Sequence, residues 1–340
     1  MPTRRSFLKA TTLAPLLLPN KSAPATSKPP RLRPGDTVGL ACPAAPAYSR
    51  ETVQVTIDSL AALGLKTKLA PHFYDRYGYL AGRDADRAAD LNTLFADPSV
   101  RMVMAMHGGW GCARLLPLLD YAVIRQNAKL LIGYSDITAL LLGIYAQTGL
   151  VTMHGPEGAA TWNAYTVDWF RRVLMDGEAV TYQNPVLKTD TLVPTTNRIT
   201  TLRPGVARGV LVGGNLTVLS HLIGSPYLPD WRGTILFVED VWEDVYRVDR
   251  MLTHLKLAGI LDQLAGFVFG KCTRCEPGSG GYGSLTLEDV LTEHISPLNV
   301  PAYSGAMIGH IADKFTVPIG IPAELDASRG TIRLLEPAVT

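Results

Sequence analysis

The sequence predicts an α/β protein of two domains: an N-terminal domain with a mostly parallel sheet flanked by helices, and a C-terminal α/β domain richer in strands. Three observations carry that expectation. From Asp36 to Gln147, short apolar runs alternate with stretches of helical period, as strands joined by crossover helices do. After about Thr166 the pattern shifts to Thr-, Val-, Asn- and Pro-rich segments that read as short strands and turns. A chain of 340 residues with 47% hydrophobic content can also bury a large core, at a length that fits two domains.

The first 25 residues stand apart from that core. Thr3-Arg4-Arg5-Ser6-Phe7-Leu8-Lys9 is a twin-arginine pattern, followed by a short apolar stretch (Ala10 to Leu18) and small residues at Ala23-Pro24-Ala25. The apolar stretch is too short to span a bilayer, so residues 1–25 read as a cleaved export signal and the mature protein as periplasmic or envelope-bound. Cleavage after Ala25 would remove Arg4, Arg5, Lys9, Lys21 and no acid, taking the formal charge from +2 to −2. No basic excess remains for nucleic acid. No later segment reads as a membrane span, since Asp136 interrupts the best candidate.

Residues 26–33 are Pro- and Lys-rich and read as a linker. The N-terminal domain is placed at 34–165. Its strands are expected at Thr37 to Ala41, Lys66 to Ala70, Val100 to Met106 and Lys129 to Ser135. Its helices are expected at Glu51 to Leu63, ending at Gly64, at Ala85 to Phe95, at Cys112 to Leu119, and directly after Ser135. Residues 166–200 read as an interdomain connection and 201–335 as the C-terminal domain. There, Gly209 to Gly214, Thr234 to Val238 and Gly266 to Gly270 give strand signals, Arg247 to Leu257 a helix, and Glu276 to Gly283 an exposed loop. Cys272-Thr273-Arg274-Cys275 is a lone C-x-x-C. With no second ligand pair for zinc, it reads as two structural thiols, a local disulfide being the alternative in an oxidising compartment.

Ser135 is the residue on which a functional reading turns. In Lys129-Leu130-Leu131-Ile132-Gly133-Tyr134-Ser135-Asp136, an apolar strand breaks at a sharp turn and gives way to a helix. Two readings fit: an N-cap of the new helix, or a nucleophile elbow that meets only half of G-x-S-x-G because Ile137 replaces the second glycine. A serine nucleophile needs a base and an orienting acid. His310 stands after an apolar strand-like segment (Met307, Ile308), while His107 and His154 also flank turns. His72, His221, His254 and His294 have ordinary surface or core explanations. Glu239, at the end of an apolar strand, is the kind of half-buried carboxylate that fixes an imidazole tautomer. Asp240, Glu243 and Asp244 read as helix-entry or surface acids. The Gly108-Gly109-Trp110-Gly111 turn is either a tight connection or a nest of backbone donors facing Ser135. A dinucleotide site is disfavoured because the G-x-G-x-x-G spacing is unmet.

Several motifs in order resemble the LD-carboxypeptidases. They include Gly78-Tyr79-Leu80-Ala81-Gly82, Asp86-Arg87-Ala88-Ala89-Asp90-Leu91-Asn92, Phe95-Ala96-Asp97-Pro98 and the glycine turn at 108–111. Gly133-Tyr134-Ser135-Asp136-Ile137-Thr138, His154-Gly155-Pro156, Gly213-Gly214-Asn215-Leu216, Val238-Glu239-Asp240, Tyr246 to Arg250 and Gly309-His310 complete the set. The resemblance covers roughly residues 32 to 335. It implies a Ser-Glu-His triad of Ser135, Glu239 and His310, oxyanion donors on the backbone at Gly109 and Asp136, a homodimer, and no metal or other cofactor. It further implies release of terminal D-alanine from murein tetrapeptides through an acyl-enzyme. Relatives that resist a microcin antibiotic cleave a peptidyl-nucleotide amide instead, and a non-catalytic muropeptide binder is a third possibility. His107 stands where the family usually has Arg, and Trp110 where it usually has Tyr.

Overall fold

The structure, a computed structural model, describes residues 24–187, 190, 192–193, 195–278 and 283–340. The twin-arginine pattern and its apolar stretch lie outside the described residues, as does the centre of the Gly/Ser-rich loop at 279–282.

Two sheets organise the molecule. The first holds six strands, built on β1 (Thr37–Ala41), β2 (Lys66–Leu69), β3 (Val100–Ala105), β4 (Leu130–Gly133) and β5 (Thr152–His154). All five run parallel in the order β5-β4-β3-β1-β2. Its inner strands are mostly apolar because both faces are covered, β4 being buried at every position, while the edge strand β2 is polar and partly exposed. Helices α1 (Arg50–Ala62) and α2 (Asp84–Ala96) connect these strands, with α3 (Tyr121–Gln126) and α4 (Thr138–Thr148) after them. The Ser49 hydroxyl caps α1 by accepting the Thr52 N–H. Cys112–Leu118, expected as an ordinary helix, is a 3₁₀ helix, with Pro117 inside it and Gly111 at φ +106 before it.

A short helix, α5 (Ala164–Phe170), leads out of the first sheet toward β6 (Thr181–Gln183), β7 (Thr200–Arg203) and β8 (Val206–Asn215). Beyond these lie α6 (Leu216–His221), β9 (Thr234–Val241), α7 (Val245–Leu257), β10 (Gly266–Thr273), α8 (Leu287–Ile295) and β11 (Ala302–Ser304). The chain ends in β12 (Val317–Ile319), β13 (Ile321–Asp326) and β14 (Thr331–Leu334). The second sheet has the order β6-β14-β13-β8-β9-β10-β11-β7. Its centre, β8 to β11, is parallel, and antiparallel strands flank it on both sides. The expectation of an α/β protein with one mostly parallel sheet and one richer in strands therefore holds.

One strand crosses between the two. By sequence position β12 belongs to the second half, yet it pairs antiparallel with β5 and closes the edge of the first sheet. Gly320, at φ +100, then turns the chain into β13 of the second sheet. Other ties join the halves: the Thr138 hydroxyl accepts the Asn215 N–H at 2.9 Å, and the Tyr182 hydroxyl donates to the Thr316 carbonyl at 2.6 Å. A single buried apolar cluster runs through both sheets.

Cys272 and Cys275 form a disulfide across a turn at the end of β10, against the reading of two free thiols. The two cysteines lie close because the strand ends in a tight turn, in which Arg274 has φ +57 and the Cys275 N–H meets the Cys272 carbonyl. Cys42 and Cys112 are free and buried.

Candidate active site

The Ser135 turn follows from the sequence around it. Gly133 ends β4 where a Cβ would strike Ile137, so the chain can fold back tightly there. Ser135 itself has φ +60, a left-handed conformation that costs a non-glycine residue roughly 1–3 kcal/mol. Neither the 3₁₀ turn at Ser135–Ile137 nor α4 takes a capping hydrogen bond from its flanking side chain, so Ser135 is not acting as an N-cap. Strain at one serine between a buried parallel strand and a helix is the geometry of an elbow that presents its hydroxyl.

The glycine turn lies against this serine. A Cβ on Gly108 would stand 2.9 Å from the Ser135 Cβ and 3.1 Å from its Oγ. Gly109, at φ +131, is packed so closely on Ala45 that a Cβ would come within 2.6 Å of the Ala45 Cβ. Beneath the turn the buried Arg87 guanidinium donates to the carbonyls of Pro43 and Gly111 and pairs with Asp84. The Asp136 carboxylate, also buried, accepts the Cys112 N–H at 2.8 Å and so ties the nucleophile turn to the helix after the glycines. Burial raises the Asp136 carboxyl above its ordinary value, and that hydrogen bond pulls against the rise.

The second half supplies the ionisable groups. Glu239 lies within β9, fully buried, and its Oε2 accepts from His310 Nδ1 at 2.7 Å. Burial alone would push this carboxyl up, but the His310 hydrogen bond and the nearby imidazoles outweigh it, and the carboxyl sits below its ordinary range. Asn215, at the end of β8, donates to Glu239 at 3.3 Å and to Asp240 at 3.1 Å. His310 itself is not at the end of a strand. Residues 305–316 form an irregular loop after β11, because Gly305 (φ +98) and Gly309 (φ +131) break the extended pattern. At Gly309 a Cβ would lie 2.9 Å from Glu239 Oε2, so only glycine lets the His310 loop approach Glu239.

A cleft of about 490 Å³ opens in front of Ser135. Gly109, Trp110, Asp136, Asn215, Asp240 and Glu243 share its lining with the serine, so both residues implied as oxyanion donors border the same space. His310 approaches from the side: its ring packs edge-on to Tyr134, the residue before Ser135, with centroids 4.9 Å apart.

Some expectations need correction. Asp240 is not a surface acid: it is buried, holds Asn215, Thr217 and Val241 through its two oxygens, and is pushed up to about 6 by burial and the Glu239 charge. His221, read as ordinary, lines the cleft. His107 is not part of its lining, and its ring donates to the Pro46 carbonyl. His154 is buried, pushed down to about 4 by desolvation, and its Nδ1 meets no partner.

Two groups beneath the turn escaped sequence reasoning altogether. Glu157 is buried, takes a backbone hydrogen bond from Gly108, and has an Oε2 without a partner; burial drives its carboxyl up to about 8. Lys314 is buried with its ammonium 4.4 Å from the centre of the Tyr134 ring. Their only sequence signal was a charged residue next to an apolar strand, which surface positions share. Among the described residues no cluster of His, Cys, Asp or Glu could hold a metal ion.

Comparison with known proteins agrees with this architecture. Residues 38–155 match the LD-carboxypeptidase N-terminal domain and residues 208–325 the LD-carboxypeptidase C-terminal domain. The chain is 38% identical to a probable murein peptide carboxypeptidase of Bacillus subtilis over 89% of its own length and 93% of that protein. Among solved structures, the microcin C7 self-immunity protein MccF of Escherichia coli, in complex with glutamyl sulfamoyl guanosine, superposes with a TM-score of 0.83 at 28% identity, covering 92% of this chain and 99% of that one. A muramoyltetrapeptide carboxypeptidase from Oxalobacter formigenes gives 0.75 at 29% identity, over 88% and 97%. With both domains matched in order on a two-sheet fold shared with these structures, the chain belongs to the LD-carboxypeptidase family.

Proposed function

We propose that the protein is a serine LD-carboxypeptidase that releases terminal D-alanine from murein tetrapeptides. The observation that carries this reading is the hydrogen bond from half-buried His310 to buried Glu239, with the His310 ring packed on Tyr134 directly before a serine held at φ +60. Glu239 fixes His310 with its proton on Nδ1, leaving Nε2 free to take the Ser135 proton. Ser135 then attacks the carbonyl of the L-configured centre of diaminopimelate. The N–H groups of Gly109 and Asp136 receive the oxyanion, each contributing about 2.7–4 kcal/mol in such sites. D-Alanine leaves with a proton from His310, and water clears the acyl-enzyme by the reverse steps. The enzyme is an exported homodimer in this reading, acting on stem peptides in the envelope.

The resemblance to MccF supports a second substrate class, a peptidyl-nucleotide amide, with the same nucleophile. Incubating the chain from about Thr26 with a murein tetrapeptide, and following the products by mass spectrometry beside a Ser135→Ala control, tests the first reading. Loss of D-alanine with the parent alone supports both the reaction and the nucleophile. No loss with either folded protein rejects the murein substrate and moves the test to aminoacyl sulfamoyl nucleotides. Failure there as well leaves muropeptide binding without hydrolysis.

A further inference from the structure

A carboxypeptidase must distinguish a terminal carboxylate from a chain that continues, and a cation is the usual discriminator. In the proposed reaction His310 protonates the leaving amine, and in D-alanine the carboxylate stands one carbon from that nitrogen. The recognising cation therefore has to lie near the base and the residue preceding the nucleophile.

The cations around the site differ in their commitments. Arg114 lines the cleft but is engaged by Asp84 through two of its nitrogens, at 2.8 and 2.7 Å. His221 is exposed at the end of α6. Lys271 lines a different hollow, with Cys272 and Leu287. Lys314 is placed otherwise. It lies on the same irregular loop as His310, is 5% exposed, and sets its ammonium over Tyr134, against whose ring His310 also packs. Among the described residues that ammonium meets no hydrogen-bond acceptor; the only hydrogen bond of the residue is its backbone N–H to Thr166. An ammonium set this deep beside the base, with no protein acceptor of its own, has its donors available to an anionic group of a ligand.

Two carboxylates lie within electrostatic reach of it, Glu157 and Glu239. Glu239 is occupied by His310 and Asn215. Glu157 forms no hydrogen bond or ion pair with the Lys314 ammonium among the described residues, and burial, which raises its carboxyl and lowers the lysine, disfavours the charged form of both. Neither takes the place of a ligand.

We propose that Lys314 binds the terminal carboxylate of the substrate and thereby restricts the enzyme to the last peptide bond of the stem. This rests on the carboxypeptidase reading above.

Two peptides test it: a murein tetrapeptide ending in D-alanine and the same peptide ending in D-alanine amide. The parent enzyme is expected to favour the acid by on the order of 100-fold in kcat/KM, the scale of a lost buried charge pair. Lys314→Met should lose that preference through a raised KM for the acid, so that acid and amide are cleaved with similar kcat/KM, and Lys314→Arg should restore part of it. Equal cleavage of acid and amide by the parent overturns the proposal. So does an equal loss on both peptides in a Lys314→Met protein whose melting temperature is unchanged. If Lys314→Met does not fold, Lys314→Gln takes its place under the same criteria, and the parent comparison decides by itself if neither folds. Cleavage of neither peptide by the parent is a different failure: it removes the carboxypeptidase reading, and this one with it.

Discussion

The two halves of the site are made by different physics. In the first sheet everything near the reaction is backbone. Ser135 is presented by a strained φ, the turn beside it exists because Gly108 and Gly109 lack a Cβ, and Arg87 and Asp136 serve to hold main chain in place. In the second sheet the contribution is charge. Glu239 and Asp240 lie near the end of the parallel strand β9, with His310 brought to Glu239 from the loop after β11, and burial with hydrogen bonding sets the ionisation of the two carboxyls. The comparison teaches that the nucleophile's half should be sensitive to volume and the acid–base half to charge, even where the substitutions look equally conservative.

Substitutions that exchange volume and charge can break that contrast. The largest effect is expected for Glu239→Gln, which keeps shape and removes charge. With the His310 tautomer no longer fixed, kcat should fall by about 10⁴-fold while the fold persists, measured by steady-state kinetics beside thermal melts. A small loss would mean that the second half, too, works through shape. Next comes Gly108→Ala, which changes no charge. Its methyl would press on the Ser135 Cβ and Oγ, and a displacement of the nucleophile by a fraction of an ångström to 1 Å costs on the order of 10²-fold in kcat. Unaltered kinetics in a folded Gly108→Ala protein would remove volume as the governing quantity in the first half.

Glu157 sharpens the comparison, since it is a charge-bearing group placed under the backbone-built half. Its folded value of about 8 lies above the ordinary 4.5, so the folded state binds the extra proton between those values. Stability from this group is thus fully present below pH 4.5 and is lost as pH rises toward 8. Glu157→Gln should flatten the decline of the melting temperature over that window; a decline of unchanged slope would assign it to other groups. The smallest effect is expected at the Cys272–Cys275 disulfide, whose short loop removes little chain entropy. A double Cys→Ser variant should lose about 2 kcal/mol by denaturant unfolding, and a loss well above that would mean the bridge also holds the His310 loop, to which Thr273 donates at 3.0 Å.

Much of the first sheet was legible because a parallel strand buried on both faces writes an unbroken apolar run. β1 falls on the expected residues, β2 and β3 differ by one residue at an end, and α1 is shifted by one residue at both ends. The second half was harder. The apolar Met307 and Ile308 suggested a strand, but they are buried in an irregular loop whose two left-handed glycines a periodicity argument ignores. Asp240 looked like a surface acid because its partners, Asn215 and Thr217, lie more than twenty residues away. Pairing Glu239 with His310 came from family resemblance, since spacing alone left several acids and histidines open. Lys314 and Glu157 could not have been found: what sets them apart is depth, and depth is decided by chain that packs over them from elsewhere.

The position of β12 has a practical consequence for anyone dividing this molecule. A fragment ending before residue 200 would leave β5 with a bare row of main-chain donors and acceptors where Val317–Ile319 normally lies. An open strand edge of that kind recruits other chains, so the isolated first half should aggregate or pair with itself. Supplied separately, a fragment carrying residues 201–340 would offer the missing strand together with the base and its acid. Reassembly of the two pieces would then restore solubility and hydrolysis in a single event, and the molecule could be used as a split reporter whose signal is its own sheet closing.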